Sequence, residues 1–343
     1  MLKNLVIFLF ILLLIISSDF DKYFTAFRFS KYLIILPSFL LLIKTHTFNF
    51  TPISKTYVFL TLYSLVLYSL GIHQSIVIEE IIIYLGIILV VSSNFLIHVK
   101  SFHILISLLF YFIYVIVVEG IEIKLSGIIF GDFSSIESNL IAFICPILLL
   151  FYLTRKKKSF STFTTLIFNL LSIKRITILS LFFILSLKKH IVKYKKMILF
   201  LISFLTLSIV VLIGDESNKD FLANYLNVSI GLLTMGRSTY YTFLIEGIDW
   251  NLTNMLFGYG MGYPQGILEL SLGKRFLIHN DWLKIFIEQG LLGFLFFIYL
   301  IREINPIILI TLSIWMITDN VIVYFPVMIL IQWYDLQKKN SIN

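Results

Sequence analysis

The chain has 343 residues, of which 59% are hydrophobic and 13% are charged. An average soluble domain is about 45–50% apolar and about 25% charged, so this composition argues against a soluble globular enzyme and against a disordered chain. The net charge of +8 would suggest a nucleic-acid partner in a soluble protein. In a membrane protein, however, basic residues collect in cytoplasmic loops, and we expect no nucleic-acid partner here.

Apolar runs separated by polar breaks predict an all-α integral membrane protein with about 12 transmembrane helices. The candidate spans are residues 4–18, 31–43, 56–71, 81–97, 102–118, 139–153, 159–173, 176–187, 197–213, 283–301, 306–318 and 321–334. The chain 1–343 is interpreted as a single polytopic membrane domain. Lys174 and Arg175 lie between two of these spans, which favours a helical hairpin with both cations at the membrane surface.

The loop charges orient these predicted spans. One alternate set of loops, which includes residues 155–158 and 188–196, carries most of the Lys and Arg residues, and such loops are usually cytoplasmic. We therefore expect both termini in the cytoplasm. The long loop 214–282 is then expected on the external face, where it would carry active-site residues.

A glycine-rich segment, residues 258–262, lies within this long loop and is called the glycine loop below. It has glycines at 258, 260 and 262 but no following Gly-Lys-Ser/Thr, so a phosphate-binding P-loop is not predicted. Glycines at this spacing instead indicate tight turns where the backbone approaches another group closely. Gly258 and Gly260 are therefore candidates for a substrate-binding site.

His279 directly precedes a predicted span, and Asn280 or Asp281 can cap the helix that begins near Leu283. Such a cap would hold the imidazole at the rim of the membrane. Glu288 lies inside the same predicted span, and an intramembrane carboxylate is a functional candidate by default. The alternative for a lone histidine is an ordinary residue at the membrane interface.

Arg175 and Arg237 are predicted external cations next to spans, where the positive-inside bias would not place them. A guanidinium presents a planar fork that suits phosphate oxygens. The alternative is that Arg175 only extends to the interface or binds a lipid headgroup. The histidines are scattered without metal-ligand spacing and Cys145 is the only cysteine, so we expect neither a metal site nor a cofactor.

Taken in order, four segments resemble the superfamily of O-antigen polymerases and O-antigen ligases, which build bacterial surface polysaccharides. These segments are Lys174-Arg175-Ile176-Thr177, Gly236-Arg237-Ser238, Leu256-Phe257-Gly258-Tyr259-Gly260-Met261-Gly262, and His279-Asn280 leading into Glu288-Gln289-Gly290-Leu291-Leu292-Gly293. The likeness covers about residues 130–325. Each short segment is weakly specific alone, and the specificity comes from their order.

The resemblance implies a metal-independent glycosyltransferase with a fold like that of the integral-membrane (GT-C-like) glycosyltransferases. It would transfer a growing glycan from undecaprenyl pyrophosphate to the non-reducing end of a lipid-linked repeat unit. His279 would act as general base, Arg175 and Arg237 would hold the pyrophosphate, and Glu288 would orient His279 or position the acceptor. Asn280 would belong to the residues that bind the pyrophosphate or substrate. The reaction would take place at the outer, periplasmic leaflet of the bacterial inner membrane. Implied partners are the lipid-linked oligosaccharide, membrane lipids and a chain-length regulator protein.

Two other functions remain open at this point. An O-antigen ligase would transfer the finished polymer to lipid A-core with the same donor chemistry. A flippase for lipid-linked oligosaccharides would be a transporter with about twelve spans, but it should show two related halves and no long outer loop. The compact length and general pattern favour the polymerase.

Overall fold

A computed structural model describes residues 7, 9–12, 49–119, 141–154, 160–171, 175–234, 236–273, 276 and 278–339. Within these ranges the chain forms fourteen α-helices. In chain order they are α1 (Pro52–Ser69), α2 (Ile78–Val91), α3 (Ser101–Glu119), α4 (Ile141–Thr154), α5 (Phe160–Leu171), α6 (Arg175–Gly214), α7 (Glu216–Leu226), α8 (Ile230–Leu233), α9 (Arg237–Gly247), α10 (Leu252–Phe257), α11 (Tyr263–Leu272), α12 (Asp281–Ile301), α13 (Pro306–Trp315) and α14 (Phe325–Lys339). Two short 3₁₀ helices, Asn94–His98 and Val321–Val323, complete the described elements.

The chain divides into two compact units. The first contains Met1–Ser54, Gly86–Leu187 and Tyr324–Asn343, and the second contains Lys55–Leu85 and Lys188–Val323. In the first unit, α4 packs against α3, α5 and α14. The indole of Trp333 donates to the Val99 carbonyl (2.8 Å) and packs on Phe151, so α14 is joined to the segment that follows the first 3₁₀ helix.

The second unit is organised around α12. Helix α10 packs against α12, α9 packs against α11, and α11 packs against α12. Tyr241, Leu244, Leu268, Ile278 and Ile287 are buried together in its core. The predicted long loop 214–282 is therefore a helical region, α7 to α11, rather than an open loop. Within it, residues 237–250 have apolar spacing compatible with a helix, and a helix does form over Arg237–Gly247.

The prediction of about 12 transmembrane helices, and with it a fold like that of the integral-membrane glycosyltransferases, is wrong. Among the described residues only two helices are long and apolar enough to cross a bilayer, Ile176–Gly214 and Asp281–Ile301. In the second helix, 56% of the residues in the most apolar 18-residue stretch are buried within the protein. Residues 31–43 and most of 4–18 lie outside the described part of the chain.

Helix length explains this error. Helices α4, α5 and α13 have 14, 12 and 10 residues, which at 1.5 Å per residue gives about 15–21 Å against a hydrocarbon core of ~30 Å. An apolar run shows only that a helix is shielded from water, and the surroundings that shield it can be either protein or lipid. In α4, residues 142–152 are all buried inside the first unit.

The predicted break between residues 187 and 197 is a kink instead of a loop. Two helical stretches of α6 meet within the lysine-rich segment 188–196 at one non-helical residue, Tyr194 (φ −113°, ψ 21°). Lysine is a good helix former, and these side chains are mostly exposed, so the charges do not require a loop. Because the orientation argument alternates sides at every one of the twelve predicted spans, the error in the number of spans removes its basis, and the sidedness of the chain stays a prediction.

Candidate functional site

The glycine loop caps a break in α12. Gly290 (φ 64°, ψ −175°) interrupts the helix, so carbonyl groups in the preceding turn lose their usual helical donors. The loop supplies replacements: the Tyr259 N–H donates to the Ile287 carbonyl (3.0 Å) and the Gly260 N–H donates to the Glu288 carbonyl (3.0 Å). Two of the sequence segments that carry the resemblance are thus in direct contact.

This contact requires glycine on both sides. Gly258 has φ 87°, and a Cβ built there would lie less than 3.0 Å from the Glu288 carbonyl and the Gly290 nitrogen. A Cβ at Gly290 would lie equally close to the backbone of Gly258 and Leu256. The close backbone approach predicted from the glycine spacing is therefore present, and the group approached is the broken turn of α12.

Gly258 and Gly260 shape the site through these contacts. Their N–H groups donate to the carbonyls of Asn254 and Glu288 respectively. A substrate oxygen could accept from either N–H only by replacing one of these bonds. Their predicted role in substrate binding stays a prediction.

Beneath the loop lies a buried group of three charged side chains, Glu80, Lys284 and Glu288, which we call the charged triad. Lys284 Nζ lies 2.7 Å from Glu80 Oε2 and 2.5 Å from Glu288 Oε1. The Gly262 N–H donates to the same Glu288 oxygen (2.8 Å), and Gln265 Nε2 lies 3.5 Å from Glu80 Oε1. All three triad members are at most 8% exposed, so the ammonium must offset the charge of two desolvated carboxylates.

Sequence reasoning missed two members of the triad. Glu288 was predicted to orient His279 or to position an acceptor, whereas its observed partner is Lys284. The signal available in the sequence was the Lys284 to Glu288 spacing of four residues, which places both side chains on one helical face. Nothing in the sequence pointed to Glu80, which lies about 200 positions earlier and meets Lys284 only through tertiary packing.

His279 lies at the start of α12 in a left-handed backbone conformation (φ 53°). That conformation is uncommon for a residue with a Cβ and is frequently found at functional positions. Its side chain is 38% exposed, and its Nδ1 lies 3.6 Å from Oδ1 of the buried Asp319. The carboxylate is beyond normal hydrogen-bond distance but close enough to attract and orient an imidazolium.

The residues after His279 fix this position. Asn280 caps α12 by accepting a hydrogen bond from the Leu283 N–H (3.0 Å). Of the two caps that the sequence offers, Asn280 and Asp281, the structure uses Asn280. Asp281 donates its N–H to the Met316 carbonyl (2.9 Å) and accepts from the Ile322 N–H (2.9 Å). These bonds join the start of α12 to the segment that carries Asp319.

Arg237 lies in the same unit, one helical turn before Tyr241. Arg237 is the first residue of α9 and is half-buried, and among the described residues no carboxylate forms an ion pair with it. Burial raises the pKa of Tyr241, while the Asn280 side chain and the Arg237 charge oppose the increase. The Arg237 charge and the Asn280 side chain therefore act on the same buried tyrosine.

Arg175 is placed differently. It is the first residue of α6 and belongs to the first unit, whereas Arg237 and His279 belong to the second. The Arg175 side chain and Lys174 lie outside the described part of the structure. The predicted cooperation of Arg175 with Arg237 and His279 stays a prediction.

Comparisons with known protein families, known proteins and solved structures find no significant match. The site offers a half-exposed imidazole beside a buried carboxylate, and the same unit contains a half-buried guanidinium, that of Arg237.

Proposed function

We propose that this protein is a membrane glycosyltransferase that polymerises a bacterial surface polysaccharide from repeat units linked to undecaprenyl pyrophosphate. The observation that carries the proposal is the arrangement at the start of α12. His279 is half-exposed in a left-handed conformation 3.6 Å from Asp319. Arg237 belongs to the same unit, and its charge acts on the buried Tyr241 together with the Asn280 side chain.

In this reaction His279 is the general base. Neutral imidazole removes the proton from an acceptor sugar hydroxyl as that oxygen attacks the anomeric carbon of the donor glycan. A new C–O bond forms, the bond from the anomeric carbon to undecaprenyl pyrophosphate breaks, and the pyrophosphate leaves with the bonding electrons. Asp319 stabilises the imidazolium and fixes the ring, and the proton then leaves to solvent because the imidazole is partly exposed.

Arg237 stabilises the departing pyrophosphate. Charge-assisted hydrogen bonds from a guanidinium to phosphate oxygens are short and strong, and this guanidinium has no carboxylate partner among the described residues. Arg175 is a second candidate for the same task through its place in the resemblance. In the proposed mechanism these cations, rather than a metal ion, neutralise the leaving group.

An exposed apolar helix supports a membrane location for this chemistry. Only 28% of the residues in the most apolar 18-residue stretch of Ile176–Gly214 are buried within the protein. A surface of this kind is unstable in water and needs a lipid or protein partner. A bilayer would hold the enzyme beside its lipid-linked donor and acceptor, and we propose the bacterial inner membrane for it.

The experiment is a gel of surface polysaccharide from a strain that lacks the gene, complemented with wild type, His279→Ala or His190→Ala. His190 is an exposed histidine of α6 and serves as the matched control. Wild type and His190→Ala should restore a ladder of long chains, and His279→Ala should leave single repeat units. A ladder restored by His279→Ala would overturn the assignment, and long polymer accumulating on the lipid carrier of the deletion strain would show a ligase instead.

A further inference from the structure

The segment 188–196 of α6 concentrates positive charge on the second unit. Its basic residues, which we call the lysine band, are Lys188, Lys189, Lys193, Lys195 and Lys196. Four of them are exposed and Lys195 is half-exposed. Lys193 lies over the Tyr194 ring, 4.9 Å from its centroid. No ion pair among the described residues includes a member of this band, so its charge is not neutralised by the described part of the protein.

The segment 197–214 follows the band and has two different faces. Leu199, Ser203, Thr206 and Val210 recur at helical spacing and are buried. The other face exposes large apolar side chains, namely Met197, Phe200, Leu201, Leu205, Ile209, Val211 and Leu212. Within the described part of the chain only the first face packs against protein, so the second needs an apolar partner.

The length of this segment identifies that partner. Residues 197–214 rise about 27 Å at 1.5 Å per residue, which is close to the ~30 Å hydrocarbon core of a bilayer. At the far end, Asp215 caps the polar helix α7, so charged groups stand at both ends of the apolar stretch. A bilayer crossed by 197–214 would meet polar residues at each of its surfaces.

The bilayer then places the lysine band at one surface. Lysines are costly inside the hydrocarbon and extend their ammonium groups to the headgroup region when they lie next to the end of an apolar stretch. At this surface the band meets lipid phosphates with no competing carboxylate of its own. We propose that the lysine band binds the phosphate groups of anionic phospholipids at the membrane surface where residues 197–214 begin.

This inference is independent of the proposed glycosyl transfer. A basic residue near an anionic surface strengthens association by about fivefold. A preference of at least about fivefold for an anionic over a zwitterionic lipid is therefore expected from the band. Because exposed charges are screened within about 3 Å at 1 M salt, the preference should disappear there.

The test uses the full chain reconstituted in phosphatidylcholine vesicles that contain a trace of spin-labelled lipid. Electron paramagnetic resonance measures the fraction of spin-labelled phosphatidylglycerol or phosphatidylcholine held at the protein surface. Wild type should favour phosphatidylglycerol by about fivefold or more. The variant with Lys189, Lys193 and Lys196 changed to Gln should lose at least half of this preference, and wild type in 1 M NaCl should fall to within about twofold of no preference.

The matched control removes the same number of charges elsewhere, with Lys55, Lys100 and Lys219 changed to Gln. This control should keep the wild-type preference, and so should Arg at the three band positions. Equal association of the two lipids with wild type would overturn the proposal. The same holds if the control loses as much preference as the band variant, or if the preference survives 1 M NaCl. If the band variant does not fold, equal association of the two lipids with wild type, or a preference that survives 1 M NaCl, still overturns the proposal.

Discussion

Replacement of Lys284 by Met should destabilise the second unit strongly. Lys284 is 2% exposed and is the only cation of the charged triad, with carboxylate oxygens of Glu80 and Glu288 at 2.7 and 2.5 Å. Methionine keeps a similar length and apolar stem but removes the charge. Two desolvated carboxylates would then face each other with no positive partner.

The size of the effect follows from that loss. Removal of one partner from a buried ion pair costs about 3–5 kcal/mol because the remaining charge is left uncompensated. For a unit of this size, 1 kcal/mol shifts Tm by about 2–4 °C. The expected decrease in Tm is therefore about 6–20 °C. The triple variant Lys284→Met, Glu80→Gln and Glu288→Gln neutralises all three members, and it should recover at least half of the decrease in Tm.

The assay is thermal denaturation of the purified full chain in mild detergent, followed by the amount of monodisperse protein that survives heating. Lys189→Met is the matched control, because Lys189 is exposed and forms no ion pair among the described residues; its Tm should change by less than about 2 °C. A Lys284→Met variant as stable as this control would refute the charge-balance argument. A triple variant no better than Lys284→Met would show that lost packing is the cause.

Three further predictions concern the glycine loop, its neighbour His73 and the start of α12. Gly258→Ala should lower Tm, because the new Cβ would lie less than 3.0 Å from backbone atoms, whereas Gly266→Ala has open space in a helix and should raise stability by up to about 1 kcal/mol; thermal denaturation compares them. Burial lowers the pKa of His73 below its usual 6.5, so the unfolded chain binds a proton that the folded chain does not. Tm should consequently fall below pH 6.5 more steeply in wild type than in His73→Gln, as melts from pH 7.5 to 5 would show. Asp319→Asn should reduce polymer yield on the polysaccharide gel less than His279→Ala does, since Asp319 only positions the base, and an equal or greater loss would contradict that role.

Local signals in the sequence predicted several features that the structure contains. The helix cap at Asn280, the helix that begins at Arg237 and the left-handed conformation of Gly258 all depend on a few neighbouring residues. Their physical causes are capping, apolar periodicity and left-handed backbone, which act over less than two helical turns. Such features can be inferred from one segment at a time.

Features that depend on tertiary packing were not predictable in this way. The apolar run of α4 gives the same pattern whether lipid or protein surrounds it, so burial inside the first unit was mistaken for a membrane span. The contact between Glu80 and Lys284 joins residues 204 positions apart. Likewise, Asp319 approaches His279 only because the start of α12 is bonded to the segment around Ile322.

The central claim is that His279 acts as the base in a glycosyl transfer between two lipid-linked glycans. The most direct test incubates purified full-length protein in vesicles with lipid-linked repeat units extracted from the deletion strain, without added divalent metal and with a chelator present. Chain growth is followed by mass spectrometry. The account predicts chains of increasing repeat number with wild type and only single units with His279→Ala. Chains formed equally by His279→Ala, or no chains with folded wild-type protein on its own repeat unit, would contradict it.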